Sequence, residues 1–131
     1  GSAMARLVAA AATEGDPNAA DPVDRVSSKA HSLIMVYSAG RPAPGEDFKK
    51  FPPVFLLAAA FDRGAANGSA QLFLDMNRAG AVAELHLYQR GRHGFGAATT
   101  SPEYGPWMDQ LKHFLKLNGF FDGKSFYGGQ K

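Results

Sequence analysis

Two unbroken apolar runs constrain the fold of this 131-residue chain more than any other feature. One covers residues 33–37 and the other covers residues 54–60. Runs of this length, with no polar residue at alternate positions, are typical of strands that are covered on both faces. They are far too short to span a bilayer. We therefore expect a buried parallel sheet with helices packed against it.

A third strand and three helices are predicted from the periodicity of the remaining chain. Residues 83–88 alternate small or apolar side chains with polar ones, which favours a strand near a sheet edge with one drier face. Helices are expected over residues 5–13, over residues 69–79 and from Pro106 onward. Because a helix lies between consecutive strands, the order predicts parallel β-α-β packing.

The helix expected over residues 69–79 has a well-defined apolar face and plausible ends. Asn67 or Ser69 can cap its start, and Gly80 can end it in the left-handed conformation. The apolar faces of this helix and of the last one comprise Leu72, Phe73, Met76 and Ala79 in the first, and Trp107, Leu111, Phe114 and Leu115 in the second.

Composition excludes several classes of protein. Hydrophobic residues make up 45% and charged residues 20% of the chain, which is typical of a globular domain. The net charge is only +2 and the basic residues are scattered, so we expect no nucleic-acid partner. The absence of cysteine excludes disulfides and thiolate metal sites but leaves the compartment undecided. The first residues lack the basic and apolar pattern of a signal peptide, and we expect no membrane association.

Two titratable residues follow predicted strands at the end where catalytic groups gather. Asp62 follows the strand expected at residues 54–60, and His93 follows the strand at residues 83–88. In open parallel sheets, ligands and catalytic groups gather at the carboxyl ends of the strands. An Asp there can hold an imidazole in one tautomer, while the imidazole takes a proton from a hydroxyl and returns it to a leaving group. The two residues are therefore a candidate acid and base.

Simpler roles stay open for these residues when spacing alone is considered. An Asp after a strand is often a turn residue or a helix cap, and a His among glycines is often only a tolerant loop residue. We expect His31, His86 and His113 to be surface or structural residues, because no carboxylate or second histidine stands at metal-ligand spacing on the same element. Neither a metal ion nor a cofactor is expected.

The order of features over residues 52–120 resembles the closing segment of α/β-hydrolases related to dienelactone hydrolases, acetylxylan esterases and prolyl-oligopeptidase-like esterases. The resemblance rests on a strand ending at Asp62, a helix, the strand at residues 83–88, a glycine-flanked histidine before an aromatic in His93-Gly94-Phe95, and a last amphipathic helix. The most specific part covers residues 79–95. The resemblance implies that Asp62 is the triad acid and His93 the base, in the chain order Ser, acid, His.

The sequence also departs from that family. Relatives often carry a second Asp before the acid and a Val-Pro pair after it, whereas Phe61 precedes Asp62 here and Arg63 follows it. The larger departure is that nothing matches the nucleophile elbow G-x-S-x-G. The segment at residues 38–40, Ser-Ala-Gly, resembles part of a nucleophile elbow but lacks the leading glycine.

A literal alignment places Ser2 at the position of the missing nucleophile. Met4, however, replaces the glycine that the tight turn needs, and residues 1–4, Gly-Ser-Ala-Met, are typical of residues left by cloning. The natural sequence would then begin near Ala5, inside a helix without a cap, which suggests truncation. We expect residues 5–121 to be the C-terminal part of an α/β-hydrolase domain and residues 122–131 to be a flexible tail.

The expected fold is therefore a partial α/β-hydrolase of about three parallel strands with two or three flanking helices, completed by self-association. The implied activity is carboxylic ester hydrolysis through a serine acyl-enzyme, on small-molecule or carbohydrate esters. Asp62 and His93 would supply the acid and base, and the chain alone would be nearly inactive. A non-catalytic α/β fragment that forms a homo-oligomer through an exposed sheet edge remains an alternative. A flavodoxin-like binding domain is a weaker one, because the turn at residues 38–41 is a poor phosphate loop.

Overall fold

The computed structural model describes residues 1–38, 42, 45–97, 101–104 and 106–124. Within these ranges the chain forms three strands and three α-helices around short 3-10 turns. The elements in chain order are α1 (Ser2–Ala11), β1 (Leu33–Val36), β2 (Val54–Ala59), α2 (Arg63–Arg78), β3 (Ala83–Tyr88) and α3 (Trp107–Leu117). No helix in the described part of the chain has the length and apolar character needed to cross a membrane.

The three strands form one parallel sheet in the order β1-β2-β3, as the sequence predicted. In register, Leu33 pairs with Val54, and Val54 pairs with Ala83. Every residue of β2 is 0% exposed, because β2 has a strand on each side and helices on each face. The central strand is therefore the core of the molecule.

Two helices cover one face of the sheet and α3 covers the other. Leu72 and Met76 of α2 pack with Ala9 of α1 against the side chains of one sheet face. Trp107 and Phe114 of α3 pack against the opposite face. The predicted apolar faces of α2 and α3 are thus the faces that contact the sheet.

The first strand, β1, is less buried than the sequence indicated. Residues 33–37 were expected to be covered on both faces, but only Leu33 and Met35 are buried, while Ile34 and Val36 are half-buried. The cause is that β1 lies at an edge of the sheet and α3 packs mainly beneath β2. β3 lies at the other edge and is half-buried, in agreement with its alternating sequence.

Helix α2 begins six residues earlier than predicted, at Arg63 instead of Ser69. Gly64, Asn67 and Gly68 are poor helix formers, so local propensity does not favour a helix before Ser69. In the structure Ala65 and Ala66 are buried, so packing on the sheet outweighs low propensity. The cap is consequently neither Asn67 nor Ser69. It is Asp62.

Helix α1 begins at Ser2 and ends at Ala11, so it lies two to three residues before the predicted span of 5–13. Its contact with the rest of the chain includes a buried ion pair, in which Arg6 Nε lies 2.9 Å from Glu46 Oε1. The last turn of α1 shares a groove with Phe51 and Pro52, which precede β2. This turn therefore lies near the amino end of β2.

Candidate active site

Asp62 and His93 meet at the carboxyl ends of β2 and β3. Asp62 lies three residues beyond the end of β2, and His93 lies five residues beyond the end of β3. The Oδ2 atom of Asp62 lies 2.6 Å from Nδ1 of His93. This contact is a hydrogen bond in which Nδ1–H donates to the carboxylate, and the neutral imidazole then carries its lone pair on Nε2. The structure thus brings together the two residues that the sequence singled out.

The carboxylate of Asp62 has a second contact that fixes its position. Its Oδ1 atom accepts a hydrogen bond of 3.4 Å from the backbone N–H of Ala65, in the first turn of α2. The side chain is 16% exposed, so little of it is free to move. The helix-cap role, which the sequence left as a rival to the acid role, therefore coexists with the contact to His93.

The loop that carries His93 depends on a glycine at its first bend. Gly91 has φ of +100°, a conformation that residues with a side chain rarely adopt. A Cβ atom at this position would lie 2.7 Å from Oη of Tyr104. Glycine therefore allows the loop to turn tightly against the aromatic ring, and this turn aims His93 back at β2.

Tyr37 also belongs to the site, although the sequence did not mark it. Its ring lies against His93, with 4.8 Å between ring centroids, and its hydroxyl oxygen accepts a hydrogen bond of 2.7 Å from Gly96 N–H. Burial raises the pKa of the Tyr37 phenol above its ordinary value, while hydrogen bonds from the backbone of Gly96 and Phe95 lower it. In the sequence this residue closes an apolar run, and it cannot be told apart there from the last residue of a strand.

The backbone of Tyr37 is strained. Its φ is +59°, the only positive value at a non-glycine residue of the described chain. The left-handed conformation costs an L-amino acid roughly 1–2 kcal/mol, and such strain persists only where the surroundings fix it. Strained residues often cluster at functional sites, and Tyr37 contacts the candidate base His93.

Aromatic residues hold the other side of the His93 loop. Phe95 stacks on Tyr104 at 4.6 Å with the ring planes 13° apart. The indole Nε1–H of Trp107, at the start of α3, donates a hydrogen bond of 3.1 Å to the carbonyl of Gly96. The peptide groups of Gly96 are therefore held on one side by Tyr37 and on the other by Trp107.

The reactive side of His93 faces an open crevice. The imidazole is 69% exposed, and no hydrogen bond to its Nε2 is found within the described ranges. Phe61, Arg63 and Arg92 line the crevice beside the Asp62–His93 pair. An accessible Nε2 opposite a carboxylate-bound Nδ1 is the arrangement that a general base requires.

Among the described residues, no serine is hydrogen-bonded to His93. Ser2 is the first residue of α1 and is not hydrogen-bonded to the imidazole. Ser38 is buried, and its carbonyl accepts a hydrogen bond of 3.2 Å from Ser69 Oγ. The rest of the turn proposed as a partial elbow or phosphate loop, residues 39–41, lies outside the described residues, as do residues 125–131 of the predicted tail.

The remaining histidines lie apart from this pair. Nε2 of His31 lies 2.9 Å from the carbonyl of Asn118, and His113 is exposed on α3. His86 lies 2.6 Å from Glu84 Oε1 on the same strand. The sequence analysis missed this carboxylate, although residues two apart share a face in a strand. In the part of the chain that is described, no group of three His, Asp or Glu side chains is arranged to hold a metal ion.

The comparison with solved structures finds a match to an acetyl ester-xyloside bifunctional hydrolase from Caldicellulosiruptor lactoaceticus. The TM-score is 0.76 at 24% sequence identity, and the match covers 91% of this chain and 54% of that chain. No family model and no curated protein matches the sequence. The chain thus spans about half the length of the hydrolase that it matches.

At 24% sequence identity, the match shows a similarity of fold. The parallel order of the strands, the helices on both faces and this match agree with the architecture that the sequence implied. The chain has the fold of part of an α/β-hydrolase.

Proposed function

We propose that this chain carries the acid and base of a serine-type carboxylic ester hydrolase. The observation that supports the proposal is the 2.6 Å contact between Asp62 and His93 at the carboxyl edge of the sheet, with the imidazole open to solvent. Asp62 holds the Nδ1–H tautomer and stabilises the imidazolium when it forms. Ser2 is the candidate nucleophile within the given sequence, and a serine outside these 131 residues is the alternative.

The proposed reaction uses His93 twice. Nε2 takes the proton from the serine hydroxyl while the serine oxygen bonds to the ester carbonyl carbon. The imidazolium then gives this proton to the departing alcohol as the ester bond breaks, which leaves an acyl-enzyme. In the second half, Nε2 takes a proton from water as the water oxygen bonds to the acyl carbon. The imidazolium then returns this proton to the serine oxygen as the acyl–serine bond breaks, which releases the carboxylic acid and regenerates the hydroxyl.

The substrate class is proposed from the neighbour and from the crevice. The matched hydrolase is described as acting on acetyl esters and xylosides. Phe61 is 64% exposed at the crevice beside His93, and an exposed aromatic ring is a surface on which an apolar face of a substrate can pack. We therefore propose small acyl esters, including acyl groups on carbohydrates, as substrates.

Hydrolysis of p-nitrophenyl acetate by the purified chain tests this proposal. We expect slow p-nitrophenolate release, far below that of a complete esterase, and we expect His93→Ala to remove the part of it that exceeds background, because the general base is lost. Asp62→Asn should lower it as well, because the imidazole loses its carboxylate partner. His31→Ala is the matched control, since His31 is an exposed histidine bound to a backbone carbonyl. Turnover that does not depend on His93 would contradict the proposal.

Intact mass after exposure to a fluorophosphonate locates the nucleophile. An adduct that is lost in both Ser2→Ala and His93→Ala chains would identify Ser2 as the serine that His93 activates. The absence of any adduct would instead mean that these residues contribute only the acid and base, with the serine supplied elsewhere.

A second candidate function is a non-catalytic α/β unit that self-associates. It is favoured by helix α1, whose side chains Met4, Leu7 and Val8 are 64%, 51% and 61% exposed. These positions share one face of the helix, opposite the sheet, where polar residues are expected. A chain of this kind would show no His93-dependent ester turnover.

A further inference from the structure

The acid–base step uses Asp62 and His93 but leaves Tyr37 unexplained. The phenol ring of Tyr37 lies 4.8 Å from the imidazole of His93, with the ring planes inclined by 44°. Three residues further along the same loop, Gly96 N–H donates a 2.7 Å hydrogen bond to its hydroxyl oxygen. One side chain therefore contacts the His93 loop at two separate points.

The strained backbone of Tyr37 is what makes these contacts possible. Leu33 and Met35 of β1 face the layer of α1 and α2, and side chains alternate along a strand. An extended Tyr37 would face that layer too. The φ of +59° instead turns its ring toward His93 and Phe95, whose ring centroid lies 4.8 Å away.

The chain on both sides of Tyr37 is anchored in the core. Its own N–H donates a 2.8 Å hydrogen bond to the carbonyl of Leu57 in β2. The carbonyl of the next residue, Ser38, accepts the hydroxyl of the buried Ser69 in α2. These two bonds fix the left-handed turn, so the phenol projects from a rigid base onto a glycine-rich loop.

We propose that Tyr37 is a positioning residue, which holds the His93 loop so that Nδ1 stays on Asp62 and Nε2 faces the crevice. The role of His93 as a general base rests on the proposed function. The positioning of its imidazole by Tyr37 requires neither a nucleophile nor a substrate. Tyr37 acts through the imidazole and touches no reacting atom.

The tautomer of neutral His93 is the measurement that tests this role. An unrestrained imidazole populates both tautomers, whereas a carboxylate on Nδ1–H selects one. Nitrogen-15 NMR of the intact chain distinguishes them. In Tyr37→Phe, we expect the share of the Nε2–H tautomer to rise on the order of two- to fivefold, as for loss of one neutral hydrogen bond.

Tyr88→Phe is the matched control. The Tyr88 ring also contacts Phe95, and its hydroxyl donates a 3.1 Å hydrogen bond to Gln110, away from His93. Like Tyr37→Phe, this substitution removes one phenol oxygen from a ring that contacts Phe95. We expect the His93 tautomer in Tyr88→Phe to match that of the unchanged chain.

Amide exchange at Gly96 tests the hydrogen bond by itself. Tyr37→Phe should make this amide exchange on the order of fivefold faster, whereas Tyr88→Phe should not. If Tyr37→Phe altered the folded core, Tyr37→Asn would replace it, because Asn tolerates the left-handed conformation while losing both ring and hydroxyl contacts. A Tyr37 variant that matches Tyr88→Phe in both measurements would overturn the proposal.

Failure of the proposed function gives a different result. Ester turnover independent of His93 would refute the enzyme, while the tautomer shift in Tyr37→Phe would still establish the positioning contact. Conversely, His93-dependent turnover with an unchanged tautomer would keep the enzyme and remove Tyr37 from its machinery.

Discussion

Asp62 joins the local stability of a helix to the geometry of the candidate site. One carboxylate oxygen accepts the backbone N–H of Ala65 and the other holds the imidazole of His93. An N-cap needs any side chain with a suitable oxygen, whereas the contact to His93 calls for a carboxylate. The two roles can therefore be separated by choosing the substitution.

Asp62→Ala and Asp62→Asn are expected to differ in stability. Asparagine can still cap α2, but alanine cannot, so the alanine variant should lose about 0.5–2 kcal/mol of unfolding free energy relative to the asparagine variant. Urea unfolding followed by circular dichroism measures the difference. Equal stabilities would show that the 3.4 Å bond to Ala65 contributes nothing to the helix.

At the scale of elements, β2 carries most of the burial. Leu56 is 0% exposed and stands in register between Met35 of β1 and Leu85 of β3. By contrast, Leu87 on the edge strand β3 is 46% exposed. The sheet thus contains one leucine that is fully buried and one that is partly exposed to solvent.

Truncation of these two leucines should have very different effects. Leu56→Ala removes buried methyl groups and leaves a cavity, so we expect a loss of about 2–5 kcal/mol in unfolding free energy. Leu87→Ala should change it by less than about 1 kcal/mol, because its side chain is already half in water. Chemical denaturation of both variants checks this, and similar losses would contradict the burial of β2.

The strands could be predicted from sequence because their signal is local. The apolar run at residues 54–60 and the alternation at residues 83–88 appear almost unchanged as β2 and β3. The first turns of α2 could not be predicted in this way, since Gly64 and Gly68 lie in a helix only because the sheet covers their neighbours. Burial of β1 was overestimated for a similar reason, as strand order is not visible in the run itself.

The candidate site was predicted in part. Asp62 and His93 were found because a carboxylate and a histidine follow strands that end at the same edge of the sheet. Their catalytic roles stay predictions. Tyr37 was missed, because its importance comes from a positive φ that no residue type other than glycine or asparagine signals in a sequence.

At the scale of the whole molecule, the outer face of α1 is an apolar surface that is open to solvent. The exposed face of α1 carries Met4, Leu7 and Val8, and the neighbouring strand β1 is an edge of the described sheet. Strand edges and apolar faces of this kind tend to pair with another chain. Association through α1 is therefore the expected behaviour at high concentration.

Sedimentation velocity over a range of concentrations tests this expectation. Leu7→Lys should weaken association by about tenfold or more, because burial of a leucine side chain contributes roughly 1.5–3 kcal/mol. Leu74→Lys is the control, since Leu74 is an exposed leucine, 46% accessible, on α2. A monomer at every concentration, or equal effects of both changes, would contradict a role for the α1 face.

The hydrogen bond from Trp107 to Gly96 has a practical consequence. The chain contains one tryptophan, and its indole N–H donates to the loop that carries His93. All intrinsic indole fluorescence therefore originates beside that loop. If the hydrogen bond between Trp107 and Gly96 broke, water would reach the indole ring and its emission would shift to the red, even with the helices intact. Tryptophan fluorescence therefore reports the opening of the His93 loop.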